Sequence, residues 1–424
     1  MTEKLAILGG ARAVTLDDGD VFDWPIITEA DEQAVLGMLR RGQAMSGTDE
    51  TKKLEKEFAE YLGVKYCLGC CNGTAALLDA MFAVGIGRGD ELICPSMTYW
   101  ASSLPVFQLR GTVVFADILP ETLCIDPSDI EHRITPRTKA IVVVHYAGYP
   151  CEMDEIMDIA QRYNVQVIED VSHAHGSLYK GRMTGTIGHV AAMSCMSGKS
   201  LAAGEAGLLC TNERHFYERA IAFGHYARHD ELTFPDLVAN QGYPLGGVKH
   251  RLNQLSSALA RTQLKEYPAR MAEIQKAMNA FWDLLEGVPG IKAHRPPKDS
   301  GSTMGGWYPA RGLYRKEELG GLPATRFCEA VHAEGSSSHP GVNAPMHLHP
   351  VLNAADVYGN GKPTRIADSD RDLRQAEGSL PVSEGTPETT LSVPWFKHYR
   401  MEPIAQHAAA FRKVAENADR LRGD

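Results

Sequence analysis

Between Val64 and Asn212 short apolar runs alternate with longer segments of helical spacing: Tyr66 to Leu68, Glu91 to Cys94, Val113 to Ala116, Ala140 to His145, Val165 to Ile168, Val190 to Ser194 and Gly207 to Cys210. Runs rich in Val and Ile, apolar at both odd and even positions, are strands buried on both faces, and helix-sized connections make them parallel. The pattern predicts an α/β sheet domain whose functional residues lie in loops beyond the strands' carboxyl ends.

Helical spacing brackets this block. Val35, Leu36 and Leu39 follow Glu29, and the pattern stops at Gly42. Leu54, Phe58 and Leu62 form a stripe at i, i+4, i+8, with Thr48 as N-cap, Asp49 and Glu50 in the first turn and Gly63 as the stop. From Phe223 to His250 the pattern breaks into Gly, His, Tyr and Pro, as in an irregular functional loop or a dimer contact. A long helix is expected from Leu252 to Glu286, kinked or split by Pro268. Beyond it come a helix near Thr325 to Ala333, a Gly/Pro/Asp-rich segment from Pro350 to Thr386, and an amphipathic helix from Glu402 to Leu421. The expected division is an N-terminal arm over residues 1–27, carrying Phe22-Asp23-Trp24-Pro25, a large α/β domain over 28–265, and a connector helix with a smaller α+β domain over 266–424.

Composition narrows the function. A net charge of -10 with no basic run argues against a nucleic-acid surface. The longest strongly apolar run, Ala140 to Val144, is strand-length, and Met1-Thr2-Glu3-Lys4 lacks the apolar core of a signal peptide, so a cytoplasmic protein without a membrane partner is expected. The nine cysteines are scattered and odd in number, as reduced core thiols are; Cys67, Cys70 and Cys71 lack a second Cys/His pair at zinc spacing and are expected to pack rather than hold a metal.

Three stretches carry chemistry. Cys71-Asn72-Gly73-Thr74-Ala75-Ala76-Leu77 opens a helix with free backbone N–H groups and a hydroxyl, which is either an ordinary capped helix or a phosphate cradle. In Glu169-Asp170-Val171-Ser172-His173-Ala174-His175-Gly176, Asp170 ends a buried strand, where it either caps the next helix or meets a cation, with His173 in reach of the same pocket. The run from Ser194 to Gly207 displays Lys199 among small residues at another strand end, as a solvated loop lysine or as a reactive amine. A phosphate cradle, a buried acid and an amine, in that order on one sheet, are what pyridoxal phosphate requires: a lysine for its aldehyde, an acid for its ring nitrogen and an anchor for its phosphate.

With Pro95-Ser96-Met97-Thr98-Tyr99, these motifs resemble those of the DegT/DnrJ/EryC1/StrS family, fold type I aminotransferases that use pyridoxal phosphate to aminate keto sugars and keto cyclitols; the resemblance runs from the Phe22–Pro25 arm to the last helix. It implies that Lys199 forms the internal aldimine and moves the proton, and that Asp170 holds the pyridinium proton. It also implies that Tyr99 stacks on the cofactor ring, that Gly73, Thr74 and Ser194 contact the phosphate, and that His173 packs near the ring. Tyr99 has a second reading as a core tyrosine at a strand end. The implied reaction passes an amine from glutamate or glutamine through the pyridoxamine form to a nucleotide-linked keto sugar or a scyllo-inosose-like cyclitol, in a homodimer with its site at the subunit interface. Two places depart from the family pattern. Lys249 stands where members carry an asparagine that reaches the neighbouring subunit's cofactor phosphate, and is expected to bind that phosphate in its place as a point charge; Ala206 and Met196-Ser197-Gly198 replace more usual residues on the substrate side. The loop from Gly224 to His229 and the segment His347-Leu348-His349 either line the substrate site or lie on the surface. A dehydratase of this fold, whose relatives carry histidine in place of the lysine, and a cofactor-binding regulatory protein are the alternatives.

Overall fold

The computed structural model describes residues 4–42 and 47–421. Its strands, in chain order, are β1 (Tyr66–Cys70), β2 (Glu91–Pro95), β3 (Thr112–Ala116), β4 (Thr138–Val144), β5 (Gln166–Asp170), β6 (Leu178–Tyr179), β7 (Arg182–Met183), β8 (Val190–Ser194), β9 (Gly207–Thr211), β10 (Ile291–Ala293), β11 (Arg311–Tyr314) and β12 (Thr390–Ser392). A seven-stranded sheet has the order β1-β9-β8-β5-β4-β2-β3, and an antiparallel sheet joins β10, β11 and β12. All seven apolar runs are strands of the large sheet, but β9 runs antiparallel to both of its neighbours. The connection between β8 and β9, residues 195–206, carries no helix, whereas the crossover of a parallel pair usually is one.

Adjacent residues of β8 enter different cores: Val190 and Ala192 join the cluster that includes the Gly73–Ala83 helix, whereas Ala191 and Met193 join the one that includes the Asp49–Leu62 helix. Period-two alternation therefore delivers side chains to two apolar layers, which is why these runs lack polar positions. Because β1, β2, β4, β5 and β8 run the same way, their carboxyl ends share one edge of the sheet.

Two local expectations are corrected. Thr48 precedes the Asp49–Leu62 helix but makes no side-chain cap; the Gln254 side-chain oxygen accepts the Glu50 and Thr51 N–H groups at 2.9 and 3.1 Å instead. Pro268 does not split its helix, which runs through it from Gln254 to Leu284. Burial of Leu264 and Tyr267 on one side of the proline and of Ile274, Met278 and Phe281 on the other holds the helix through the missing N–H. The N-terminal arm lies over the C-terminal part, with Phe22 stacked on Phe396 at 5.3 Å and Trp24 against Trp395 at 5.8 Å. Residues 350–380 turn back onto the β3 edge, where Leu352, Leu373 and Leu380 join the core of the large sheet.

Candidate active site

The site is built where strand ends crowd together. After β1, the Asn72 side chain accepts the Ala75 N–H at 2.8 Å and starts the Gly73–Ala83 helix. A Cβ on Gly73 would stand 2.6 Å from Ser194 Cβ, and one on Gly207 would stand 2.1 Å from the Asn72 carbonyl oxygen. Only glycine lets β1, β8 and β9 approach so closely. The packing leaves the first N–H groups of a helix facing the cavity with the positive end of its dipole, a seat for a dianion.

At the end of β5, Asp170 is buried; it accepts the Ser102 hydroxyl at 2.7 Å and the Ser172 N–H at 3.0 Å. No helix follows within hydrogen-bonding reach, so its oxygens keep acceptor capacity for a ligand. His173 is buried between the Tyr146 and Tyr308 rings, each 5.3 Å away. Burial pushes its imidazole well below the ordinary range, and the positive charges of Lys199 and Arg311 push the same way, so it is neutral at physiological pH.

Lys199 follows β8 in a turn closed by its own N–H to the Met196 carbonyl at 2.8 Å, and its carbonyl accepts the Trp24 indole N–H at 2.8 Å. Its Nζ lies 4.5 Å from the centre of the Tyr308 ring. Burial pushes the amine down to about 8, against the opposing pull of Asp170. An amine in that range is neutral often enough to be a nucleophile near neutral pH.

These groups share one cavity of about 790 Å³. Gly73, Thr74, Tyr99, Asp170, His173, Ser194 and Lys199 all line it. Tyr99 is not a core residue, being 51% exposed. Lys249 does not line this cavity; it borders a separate small cleft with His225, Tyr226 and Arg251. The cause is its neighbour: His250 turns inward to bond Asp79 at 2.7 Å, which sends the Lys249 side chain outward.

Neither polar segment offered for the substrate side contributes to the cavity wall. His225 and Arg228 are buried, bonding Asp79 at 3.1 Å and Glu55 at 2.6 Å, and His347 is buried between Ser96 and Glu384. Cys70 Sγ, an Asp79 oxygen and a His225 nitrogen lie within 4.8 Å of one another, an arrangement their mutual hydrogen bonds satisfy. Ser102, Tyr308, Arg311 and Asn343 line the cavity without having been singled out. Ser102 was within reach of sequence reasoning, three residues past Tyr99. The other three come from the far end of the chain, where no local motif marks them.

An α/β sheet with a phosphate seat, a buried acid and a depressed amine at its carboxyl edge is the architecture of a pyridoxal-phosphate transferase. Residues 25–411 match the DegT/DnrJ/EryC1/StrS aminotransferase family, and the chain belongs to that family, which is pyridoxal-phosphate-dependent. It is 32% identical over 343 residues to GDP-perosamine synthase of Caulobacter vibrioides, covering 77% of this chain and 88% of the relative. It is 29% identical over 433 residues to L-glutamine:scyllo-inosose aminotransferase of Streptomyces griseus, covering 98% and 99%. The aminotransferase from Psychrobacter cryohalolentis has the same fold, with a TM-score of 0.80 and 29% identity over 94% of this chain and 99% of that one.

Proposed function

We propose that this protein is a cytoplasmic homodimer that transfers an amino group from glutamate or glutamine to a keto sugar or keto cyclitol, with Lys199 and Asp170 as its catalytic residues. The observation that carries the reading is the convergence of Lys199, Asp170 and the Gly73–Thr74 helix start on one cavity. Bound there, pyridoxal phosphate supplies an aldehyde carbon and a ring that accepts electrons as a substrate proton leaves. The Gly73 and Thr74 N–H groups and the Ser194 hydroxyl would hold the phosphate. Asp170 keeps a proton on the ring nitrogen, and Ser102 and Ser172 fix that carboxylate in place. Lys199 would hold the aldehyde and would move a proton at its Nζ, a task suited to an amine near 8. His173 would pack near the ring as a neutral imidazole, and Tyr99 and Tyr308 wall the cavity.

Relatives named for GDP-perosamine and for scyllo-inosose support both substrate classes, and one named for L-glutamine supports that donor. For the dimer, support comes from the excursion between Gly224 and His250, which exposes Tyr243 at 84% and turns Lys249 away from its own cavity. The test is spectroscopic. Glutamate or glutamine should bleach the yellow colour of the loaded protein, and a keto cyclitol or nucleotide-linked keto sugar should restore it. Borohydride should fix the cofactor to the peptide bearing Lys199. Turnover by Lys199→Ala at the ordinary rate would sink the proposal.

A further inference from the structure

Within one protomer the phosphate seat described above offers neutral donors: the first N–H groups of the Gly73–Ala83 helix and the Thr74 and Ser194 hydroxyls, with the helix dipole behind them. Among the described residues the lysine and arginine side chains that line the cavity are Lys199, taken by the aldehyde under the proposed function, and Arg311, which enters from the small sheet. Lys249 borders the small cleft instead. The residue after it does line the cavity. The His250 carbonyl accepts the Cys71 N–H at 2.6 Å, which fastens it beside the strand end that leads into the seat. Its ring donates from Nδ1 to Asp79 Oδ1 at 2.7 Å and keeps 12% of its side chain exposed. With Nδ1 turned to Asp79, the ring's free edge carries Nε2, which has no partner among the described residues and is not sealed from solvent.

Three other histidines paired with carboxylates have no nitrogen to spare. His145, His347 and His407 bond Glu169, Glu384 and Asp18 through Nε2, and each also has a partner at Nδ1: the Cys151 N–H, Ser96 and Ser336. Asp79, behind His250, lies fully buried on the seat's own helix, and no step of the proposed function uses it. Its oxygens also accept His225 Nε2 at 3.1 Å and lie 3.4 Å from Cys70 Sγ. Burial by itself would raise its carboxyl, but hydrogen bonds from the two histidines hold it below the ordinary range. Around His250 stand this carboxylate, His225, Cys70 and Cys71, with Lys249 and Arg251 beside it in the chain and Glu205 on the wall of the same cavity. A carboxylate at Nδ1 fixes the orientation of an imidazole and stabilises an imidazolium, whose second N–H is then at Nε2.

We propose that His250, positioned by Asp79, is the charged ligand of the cofactor phosphate within its own protomer, donating to it from Nε2 as an imidazolium. This rests on the aminotransferase reading and adds to it the residue that brings positive charge to the seat. The proton on Nε2 comes from solvent as the dianion enters, so that carboxylate, imidazolium and phosphate alternate in sign. A charge-assisted hydrogen bond of this kind is about twice as strong as one from a neutral hydroxyl or amide. Asp79 acts only through the ring: it holds Nδ1 and so aims the other nitrogen.

The experiment compares pyridoxal phosphate with pyridoxal, which lacks the phosphate, as ligands of the cofactor-free protein, with binding followed by the change in their absorbance. The ratio of the two affinities isolates the phosphate. His250→Phe should lower that ratio about 10–100-fold, the worth of a charge-assisted hydrogen bond, and move pyridoxal affinity by less than about threefold. His250→Gln, which keeps a neutral donor, should fall between, and Asp79→Asn should lower the ratio as well. The His250→Phe factor should persist in a Lys249→Ala background, which separates the histidine from its neighbour. A ratio that His250→Phe leaves unchanged overturns the assignment, as does equal weakening of both compounds or a factor that vanishes once Lys249 is gone. A full ratio in folded Asp79→Asn overturns the part given to Asp79. If borohydride fails to fix either compound to Lys199 of the unsubstituted protein, the aminotransferase reading itself has failed; if it succeeds and the ratio ignores residue 250, only the phosphate assignment has.

Discussion

The end of β5 presents two carboxylates, one residue apart, to opposite sides of the sheet, and they are treated in opposite ways. Glu169 is saturated: it bonds His145 Nε2 at 3.0 Å and accepts the backbone N–H groups of Gly185, Ile187 and Gly188 at 2.6 to 2.8 Å. Burial alone would raise its carboxyl, but the His145 contact and the Gly185 and Gly188 amides hold it below the ordinary glutamate range. Asp170 accepts only one hydroxyl and one N–H and borders the cavity. Spare acceptor capacity, rather than burial, separates the carboxylate that awaits a ligand from the one that ties a loop to the sheet.

Exchanging each acid for its amide breaks the comparison most severely. Asp170→Asn should lower turnover by about a hundredfold or more, the range of a misplaced catalytic proton, and leave thermal unfolding nearly unchanged. Glu169→Gln should do the reverse, destabilising the fold by about 3 kcal/mol because three amides and an imidazole lose an ionised acceptor, with turnover per folded molecule retained. The sign with pH is fixed. A carboxyl depressed in the folded state contributes stability above its unfolded range, so the gap between wild type and Glu169→Gln in denaturant titrations should close as the pH falls through the glutamate range. Equal effects on turnover from both variants would abolish the distinction.

The same contrast holds for two buried lysines, each pushed down to about 8 by burial. Lys397 sits over the Trp395 ring, 4.0 Å from its centre, and does not line the large cavity that Lys199 borders. A depressed amine is therefore not itself a site. For Lys199 the cost is visible in the cofactor-free protein. Its folded value near 8 lies below the ordinary 10.5, so between those limits the unfolded chain binds more protons and stability rises with pH. Lys199→Met should lose that rise and be more stable at neutral pH by up to about 3 kcal/mol. Urea titrations of the cofactor-free proteins at pH 7 and pH 10 would check both statements.

What was legible in the sequence was local. All seven large-sheet strands, the Asn72-Gly73-Thr74 helix start, Asp170 and Lys199 could be read because each is an apolar run or the residue that ends one. The split between Glu169 and Asp170 was also readable, since strand neighbours face opposite sides. What escaped depends on distant partners. Gln254 replaced Thr48 as the helix cap, and His225 could be read as a substrate-loop residue until Asp79, 146 residues away in sequence, took it. Arg311 and Asn343 reach the cavity only because the small sheet packs beside it.

The mildest change probes how Asp170 is held. Ser102 donates to Asp170 Oδ2 at 2.7 Å and in turn exchanges a 3.0 Å hydrogen bond with Thr98, so the carboxylate is fixed through a chain that begins in the loop after β2. Removing the hydroxyl leaves the acid in place by its Ser172 N–H bond, but free to rotate about it. One such hydrogen bond to a charged group is worth about 1.5 kcal/mol, so Ser102→Ala should slow turnover about tenfold. Its unfolding midpoint should barely move, and the loss should lie in kcat rather than in donor KM. A loss confined to KM would mean that Ser102 serves the substrate side of the cavity instead, and that Asp170 needs no support beyond its own strand.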